Sequence, residues 1–144
     1  MLLLIDEVEL IEDRGDQLLT EGDIELINEP QIGIIAANRS GKGPQLTPVW
    51  VDTDGTAVIF NTSKGRIKEK LIAADPNVSI CVVDNKNPFR WVNVTGTAEL
   101  IEDGADDHIN RLAKKYLGVD EYPYRQEGEE RVMVRITPTS RTGA

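Results

Sequence analysis

The sequence predicts a mainly β (α+β) fold: six antiparallel strands in a small closed or partly open barrel, with two or three short helices. Three observations predict it. Extended apolar runs recur between residues 31 and 136, and Gly-bearing turns separate several of them. Helical periodicities separate groups of strands but do not alternate with each strand, which argues against a doubly wound parallel sheet. Six short strands manage their edges best by closing on themselves.

The elements follow in order. Residues 1–16 join a short apolar start to Asp6, Glu7, Glu9, Glu12, Asp13 and Asp16, and read as an extension that forms an edge strand or a short helix. Thr20 is an N-cap and Asp23 completes its first turn. Ile24, Leu26 and Ile27 give that short helix an apolar side, and it ends before Pro30. Residues 31–37, 45–52 and 56–62 form a three-stranded meander. Its turns are Arg39-Ser40-Gly41-Lys42-Gly43-Pro44 and Asp54-Gly55. Residues 63–74 predict a helix with Ile67, Leu71 and Ile72 on one face, stopped by Asp75-Pro76. Residues 78–83 are almost continuously apolar and predict a strand buried on both sides. Residues 89–101 predict a long strand in which Gly96 marks a bulge or a close backbone approach. Asp103 opens a helix striped by Ile109, Leu112, Ala113, Tyr116 and Leu117 and capped by Gly118. Val132, Val134 and Ile136 alternate in a final half-buried strand.

Charge and composition narrow the function. The 144 residues carry a formal net charge of −9, and residues 1–29 hold all of it. That segment is a solvated acidic face or a docking segment. A nucleic-acid role is disfavoured, because phosphate backbones call for clustered Lys and Arg. No apolar run approaches the roughly 20 residues of a membrane helix. The start, Met1-Leu2-Leu3-Leu4-Ile5, runs straight into acids and does not read as a signal peptide, so a cytoplasmic location is expected. One Cys excludes an intrachain disulfide and a multi-cysteine metal site, and no metal site is expected. Cys81, between Ile80 and Val82, is expected to pack as a small apolar residue. The single histidine, His108, stands beside Asp106 and Asp107 and is expected to be solvated at the surface. No nucleophile elbow, Walker loop or dinucleotide fingerprint is present. No catalytic side chain is assigned, and an enzyme of this composition would rely on a bound cofactor for its hard step.

Three segments carry ligand chemistry. Asn61-Thr62-Ser63-Lys64-Gly65-Arg66-Ile67-Lys68 ends a strand in hydroxyls and starts a helix with three cations in five residues. Cations there oppose the helix dipole unless an anion sits among them, and Arg66 offers a fork that matches phosphate. The alternative is a solvated basic face paired with Glu69. Thr47-Pro48-Val49-Trp50 interrupts a strand with proline, freeing backbone beside Trp50 for a flat polar ring; the alternative is an ordinary strand edge. Asn87-Pro88-Phe89-Arg90-Trp91 puts two aromatics and a guanidinium at a strand start, for stacking on a ligand or for packing.

The ordered set Gln45-Leu46-Thr47-Pro48-Val49-Trp50, Phe60-Asn61-Thr62-Ser63 with Arg66-x-Lys68, Leu71, Asp75-Pro76 and Val94-Thr95-Gly96-Thr97-Ala98-Glu99 resembles the pyridoxamine 5′-phosphate oxidase-like split β-barrel superfamily. Within it, the chain is most similar to the coenzyme F420-dependent flavin/deazaflavin oxidoreductases. The resemblance spans roughly residues 21–138. It implies a six-stranded antiparallel split β-barrel over residues 19–144, with residues 1–18 as an acidic N-terminal extension. It implies a homodimer with the cofactor at the interface, a small-molecule substrate, and hydride transfer between F420 and a small organic acceptor. Arg66 and Lys68, with Thr62 and Ser63 beside them, match the cofactor-phosphate site. Pro48, Val49 and Trp50 match the strand along the ring, and Phe89, Arg90 and Trp91 match the closure from the second subunit. Phe60, Asn61 and Lys64 complete the cofactor-binding set. The chain lacks recognisable substrate-phosphate residues near residue 144, which argues against vitamin B6 oxidation. FMN in the same fold is the nearest rival, since both cofactors carry a ribityl phosphate. F420 adds an acidic tail for which Lys42, Lys64 and Arg90 are candidates. A non-catalytic cofactor carrier or interaction module is the rival from another class.

Overall fold

Local chemistry sets the element boundaries in the computed structural model, which describes residues 2–5, 8–12 and 17–144. Asp6, Glu7, Asp13 and Asp16 of the acidic extension lie outside the described residues. Two short strands, β1 (Leu2–Ile5) and β2 (Val8–Glu12), form an antiparallel hairpin. Helix α1 (Glu21–Asn28) opens on a capping box: Asp23 N–H donates to Thr20 Oγ1 at 3.0 Å and Thr20 N–H donates to Asp23 Oδ2 at 2.9 Å. Strands β3 (Ile32–Arg39) and β4 (Lys42–Thr53) turn at Gly41, whose φ of 68° favours glycine. Asp54 Oδ1 accepts from the N–H groups of Thr56 and Ala57 and launches β5 (Val58–Ser63). Then come α2 (Ile67–Ala74), β6 (Asn77–Asp84), β7 (Asn87–Ile101), α3 (Ala105–Leu117) and β8 (Arg131–Gly143).

The strand order β8-β5-β4-β3-β6-β7, with β7 pairing back to β8, closes a six-stranded antiparallel barrel. The β1–β2 hairpin hangs from it, because β2 pairs with residues 140–143 of β8. The long strand β8 therefore serves two neighbours on one side: its residues 131–136 pair with β5 and its last four pair with β2. This strand exceeds the expected 132–136, since Thr137 to Thr142 carry no apolar alternation and are held extended by their partners. Both later helices also start further along than their sequences suggest. Residues 61–63 stay in the ladder to β8, and Gly65 turns the chain at φ 90° before α2 begins. Gly104, at φ 79°, delays α3 to Ala105.

Gly96 marks both expected features. The β7–β8 register shifts between Thr95 and Gly96, and a Cβ at Gly96 would lie 2.2 Å from the Thr137 carbonyl oxygen. The core fills the barrel with Ile35, Val51, Val58, Phe60, Ile80, Val82, Val134 and Ile136, and α1 adds Leu26 and Ile27. Strand β6 is buried on one side only. Val78, Ile80 and Val82 point inward, while Ser79, Cys81 and Val83 are half-buried on the outer face, so a strand read as covered on both sides has one apolar side open in the single chain. Cys81 is a free thiol whose partial burial pushes its ionisation upward. Among the described residues, no helix is long and apolar enough to cross a membrane.

Candidate functional site

The barrel opens where β4 and β5 part. Their ladder consists of Val51↔Phe60, Asp52↔Ile59 and Thr53↔Val58. Beyond it, residues 42–50 of β4 pair only with β3, while residues 61–63 of β5 pair with β8. The seam is a cleft of about 380 Å³. Pro48, Val49 and Trp50 line one wall, and Asn61, Thr62, Ser63, Arg66 and Lys68 line the other. Proline at residue 48 suits a free strand edge because it has no N–H to leave unpaired. Ile109 and Leu112 of α3 supply apolar lining, and Tyr122, Tyr124 and Arg131 complete it.

Part of the cleft lining is cationic. Among the described residues, the side chains of Arg66 and Lys68 have no ion-pair or hydrogen-bond partner. Glu69, the partner of the solvated-face alternative, instead accepts from the Gly65 N–H at 2.9 Å. Burial lowers the basicity of the Lys68 ammonium, and the neighbouring charges of Arg66 and Arg131 lower it further. The buried residues Thr62 and Ser63 make no side-chain hydrogen bond among the described residues.

Part of the lining is aromatic. Trp50 stacks on Tyr116 with ring centroids 5.1 Å apart and 5° between planes, and meets Tyr122 edge-on at 6.1 Å. Tyr116 is pinned in turn: its hydroxyl donates to the Gln31 carbonyl at 2.5 Å and accepts from the Val51 N–H at 2.9 Å. Burial raises that phenol to about 12. Next to it, Lys115 donates to the carbonyls of Ile27 and Val51 at 2.5 and 2.6 Å, and burial brings its ammonium down to about 8.

Eight residues of the expected cofactor-binding set thus meet in one cleft, and five lie elsewhere. Phe60 is fully buried in the barrel core. Lys64 pairs with Glu102 at 2.6 Å and with Glu130 at 3.8 Å. Arg90 forks onto Glu29 at 2.8 and 2.9 Å and reaches Asp84 at 3.1 Å. Phe89 is 78% exposed on the β6–β7 hairpin, and Trp91 lines a separate cavity with Arg90 and the buried pair Asp23–Arg141.

His108 corrects the sequence reading. It is not solvated but 1% exposed, turned from α3 into the space behind β5. Its Nδ1 meets Asn61 Nδ2 at 3.0 Å, and its Nε2 stands 3.3 Å from Asp52 Oδ2 without the alignment of a hydrogen bond. Burial opposes the charge of Asp52, but the His108 contact and the Thr53 N–H outweigh it and hold the carboxyl below its ordinary range. Sequence reasoning also missed Arg131, Tyr122 and Tyr124. Their one signal is the density of Tyr, Arg and Glu over residues 121–131, which reads as an irregular polar loop.

A closed six-stranded barrel with one parted seam, lined by cations and aromatic rings, defines a split-barrel protein. The sequence agrees: residues 19–142 match the family model described as pyridoxamine 5′-phosphate oxidase, and the chain belongs to that family. The family includes oxidoreductases, and its fold binds flavins. Among solved structures, an F420 reductase is similar over 85% of this chain and 98% of its own, with 28% identity and a TM-score of 0.73. A conserved hypothetical protein from Mycobacterium tuberculosis shares 23% identity over 91% of this chain and 88% of its own, at a TM-score of 0.66. A putative pyridoxamine 5′-phosphate oxidase from Listeria innocua shares 17% identity over 81% and 90%, at a TM-score of 0.62. The last two likenesses are of fold alone. No curated protein matches the sequence.

Proposed function

We propose that this chain is a cytoplasmic, homodimeric oxidoreductase that moves a hydride between coenzyme F420 and a small conjugated organic acceptor. Residues 19–144 form its cofactor-binding unit, and residues 1–18 are an acidic extension to it. The observation that carries the reading is the pair Arg66 and Lys68, uncompensated by any carboxylate among the described residues, at the end of an open seam. Likeness to an F420 reductase supports the choice of cofactor.

The residues present fit a ring with a ribityl phosphate. Arg66 and Lys68 hold the phosphate, and the hydroxyls of Thr62 and Ser63 supply further hydrogen bonds. The free edge at Pro48, Val49 and Trp50 would take the ring, and the Trp50–Tyr116 stack would hold that wall in place. When bound, the deazaflavin or flavin supplies the hydride chemistry. The protein's part is to position ring and acceptor and to exclude water, which requires no nucleophile or histidine in the cleft.

The dimer rests on the barrel's outer face. Ile32, Ile34 and Leu46 are 38, 36 and 59% exposed, and the register places them beside Pro48, Cys81 and Val83. A second copy covers this face, and its Phe89, Arg90 and Trp91 close the cleft. FMN is the second reading, and one observation favours it. Of the three cations considered for the acidic tail of F420, Lys64 and Arg90 are already neutralised by carboxylates, which leaves Lys42.

The test begins with the spectrum of the purified protein and titrations with F420 and FMN, followed by turnover of enones and quinones. A colourless preparation that quenches F420 fluorescence and turns over supports the first reading. A yellow preparation with a flavin spectrum moves the assignment to FMN. A dimer that binds neither overturns both and leaves an interaction module.

A further inference from the structure

Arg131 is buried at 8% exposure, yet it lines the cleft. Its Nε donates to Asn61 Oδ1 at 2.9 Å and its Nη1 donates to Glu129 Oε1 at 2.9 Å. Its guanidinium carbon lies 5.1 Å above the Tyr122 ring. Among the described residues, Nη2 has no hydrogen-bond partner. The guanidinium is fixed at Nε and Nη1 and its charge is paired with the buried Glu129, while the Nη2 donors stay unspent at the cleft.

The holding network has one consistent set of orientations. Arginine only donates, so the atom of Asn61 facing Nε must be its oxygen. The amide nitrogen then points the other way, donating to the Ala105 carbonyl at 2.9 Å and to His108 Nδ1 at 3.0 Å. His108 must therefore accept at Nδ1 and carry its proton on Nε2, the atom that faces Asp52. Both amide hydrogens of Asn61 are committed, and its oxygen is taken by Arg131. Asn61 lines the cleft, but both its amide hydrogens are spent behind it and its oxygen already accepts from Arg131.

We infer that Arg131 is the third cation of the anion site, and that Asn61 and His108 act as positioning residues which lock its guanidinium toward the phosphate arm. The inference rests on the proposed cofactor reading and adds to it a ligand contact from β8. It also changes the role of Asn61, from touching the cofactor to steering Arg131.

The test compares FMN with riboflavin, which differ only in the phosphate, and F420 with its deazaflavin core, which lacks both the phosphate and the acidic tail. Binding is read by fluorescence, without turnover. The variant Arg131→Gln/Glu129→Gln removes the buried pair together, so that no lone charge is left inside. It should weaken the phosphorylated ligands about 10- to 100-fold while their phosphate-free partners change less than about 2-fold. His108→Leu should lose part of the same preference. His108→Asn, which can still offer an acceptor to the Asn61 amide, should retain it. The Arg131 Nε–H resonance should be slow to exchange with solvent in the parent and in His108→Asn, and fast in His108→Leu. Equal weakening of both ligand forms would make the network structural only and overturn the inference. An unchanged phosphate preference in the double variant would overturn it too, while leaving Arg66 and Lys68 as the anchor. A parent protein that binds none of the four ligands would overturn the cofactor reading itself.

Discussion

Replacing Arg66 and Lys68 together by alanine should separate ligand affinity from stability. Arg66 is exposed and Lys68 half-buried, and neither side chain has an ion-pair or hydrogen-bond partner among the described residues. Lys68 sits in a field set by Arg66 and Arg131 that opposes its own charge. The double substitution therefore removes repulsion and little packing. Folding free energy should stay within about 1 kcal/mol of the parent and move, if at all, toward greater stability. The ligand tells a different story. Each charge-assisted contact to a phosphate contributes about 1.5–3 kcal/mol. Two such contacts give about 3–6 kcal/mol, or roughly 10²- to 10⁴-fold in Kd at 1.4 kcal/mol per decade. Adjacent cations share one anion and are not additive, so the lower half of that range is expected. Calorimetric titration with FMN and F420, beside a urea melt, measures both quantities. Unchanged affinity would refute the cradle. A stability loss above about 2 kcal/mol would refute the claim that these cations stand ready for a ligand rather than supporting the fold.

Three further outcomes follow from the geometry. Lys115 loses its proton near pH 8 in the fold, against an ordinary value near 10.5, so between those values the unfolded chain binds more protons and stability rises with pH. Tyr116 acts in the opposite sense: its phenol, raised to about 12 in the fold, makes stability fall above pH 10, where the unfolded phenol ionises first. Urea melts of the parent against Lys115→Met and Tyr116→Phe should show the first trend vanish in one variant and the second in the other, and trends that persist in both would reject these assignments. Gly96→Ala would set a methyl 2.2 Å from the Thr137 carbonyl oxygen, a backbone atom that cannot swing away, and should cost roughly 2–4 kcal/mol in a thermal or urea melt. A loss below about 1 kcal/mol would mean that the bulge relaxes freely. Ile34→Asp, on the open outer face of β3, should turn the proposed dimer into monomers by light scattering while leaving the circular dichroism unchanged. A variant that stays dimeric would move the interface to another face.

Most of the barrel was legible because its signals are local. The capping box at Thr20, the glycine turn at Gly41 and the Asp54 turn each act within four residues. The apolar alternation of β8 ends at Ile136, however, and the strand continues to Gly143 on the strength of its neighbours β7 and β2. Strand β6 shows the converse. Its continuous apolar run predicts two covered faces, and the single chain covers one. The proposed dimer would cover that second face.

The site divides along the same line. Pro48, Trp50, Arg66 and Lys68 are legible because each is unusual for its own element: a proline within a strand, cations at a helix start. Arg131 and His108 are ordinary in sequence, the first beside glutamates and the second beside aspartates. They acquire a role only when β8 and α3 meet behind β5, through separations of 70 and 47 residues to Asn61. A buried polar network of this kind has no periodicity to read, since its members satisfy one another rather than a pattern. The test of such a network is its completeness. Asn61 spends both amide hydrogens and an oxygen bond on its neighbours, while Arg131 keeps Nη2 and the buried His108 keeps Nε2 without a hydrogen-bond partner among the described residues. Of these two, Arg131 lines the cleft and His108 does not, which is why the Arg131 donors are assigned to a ligand.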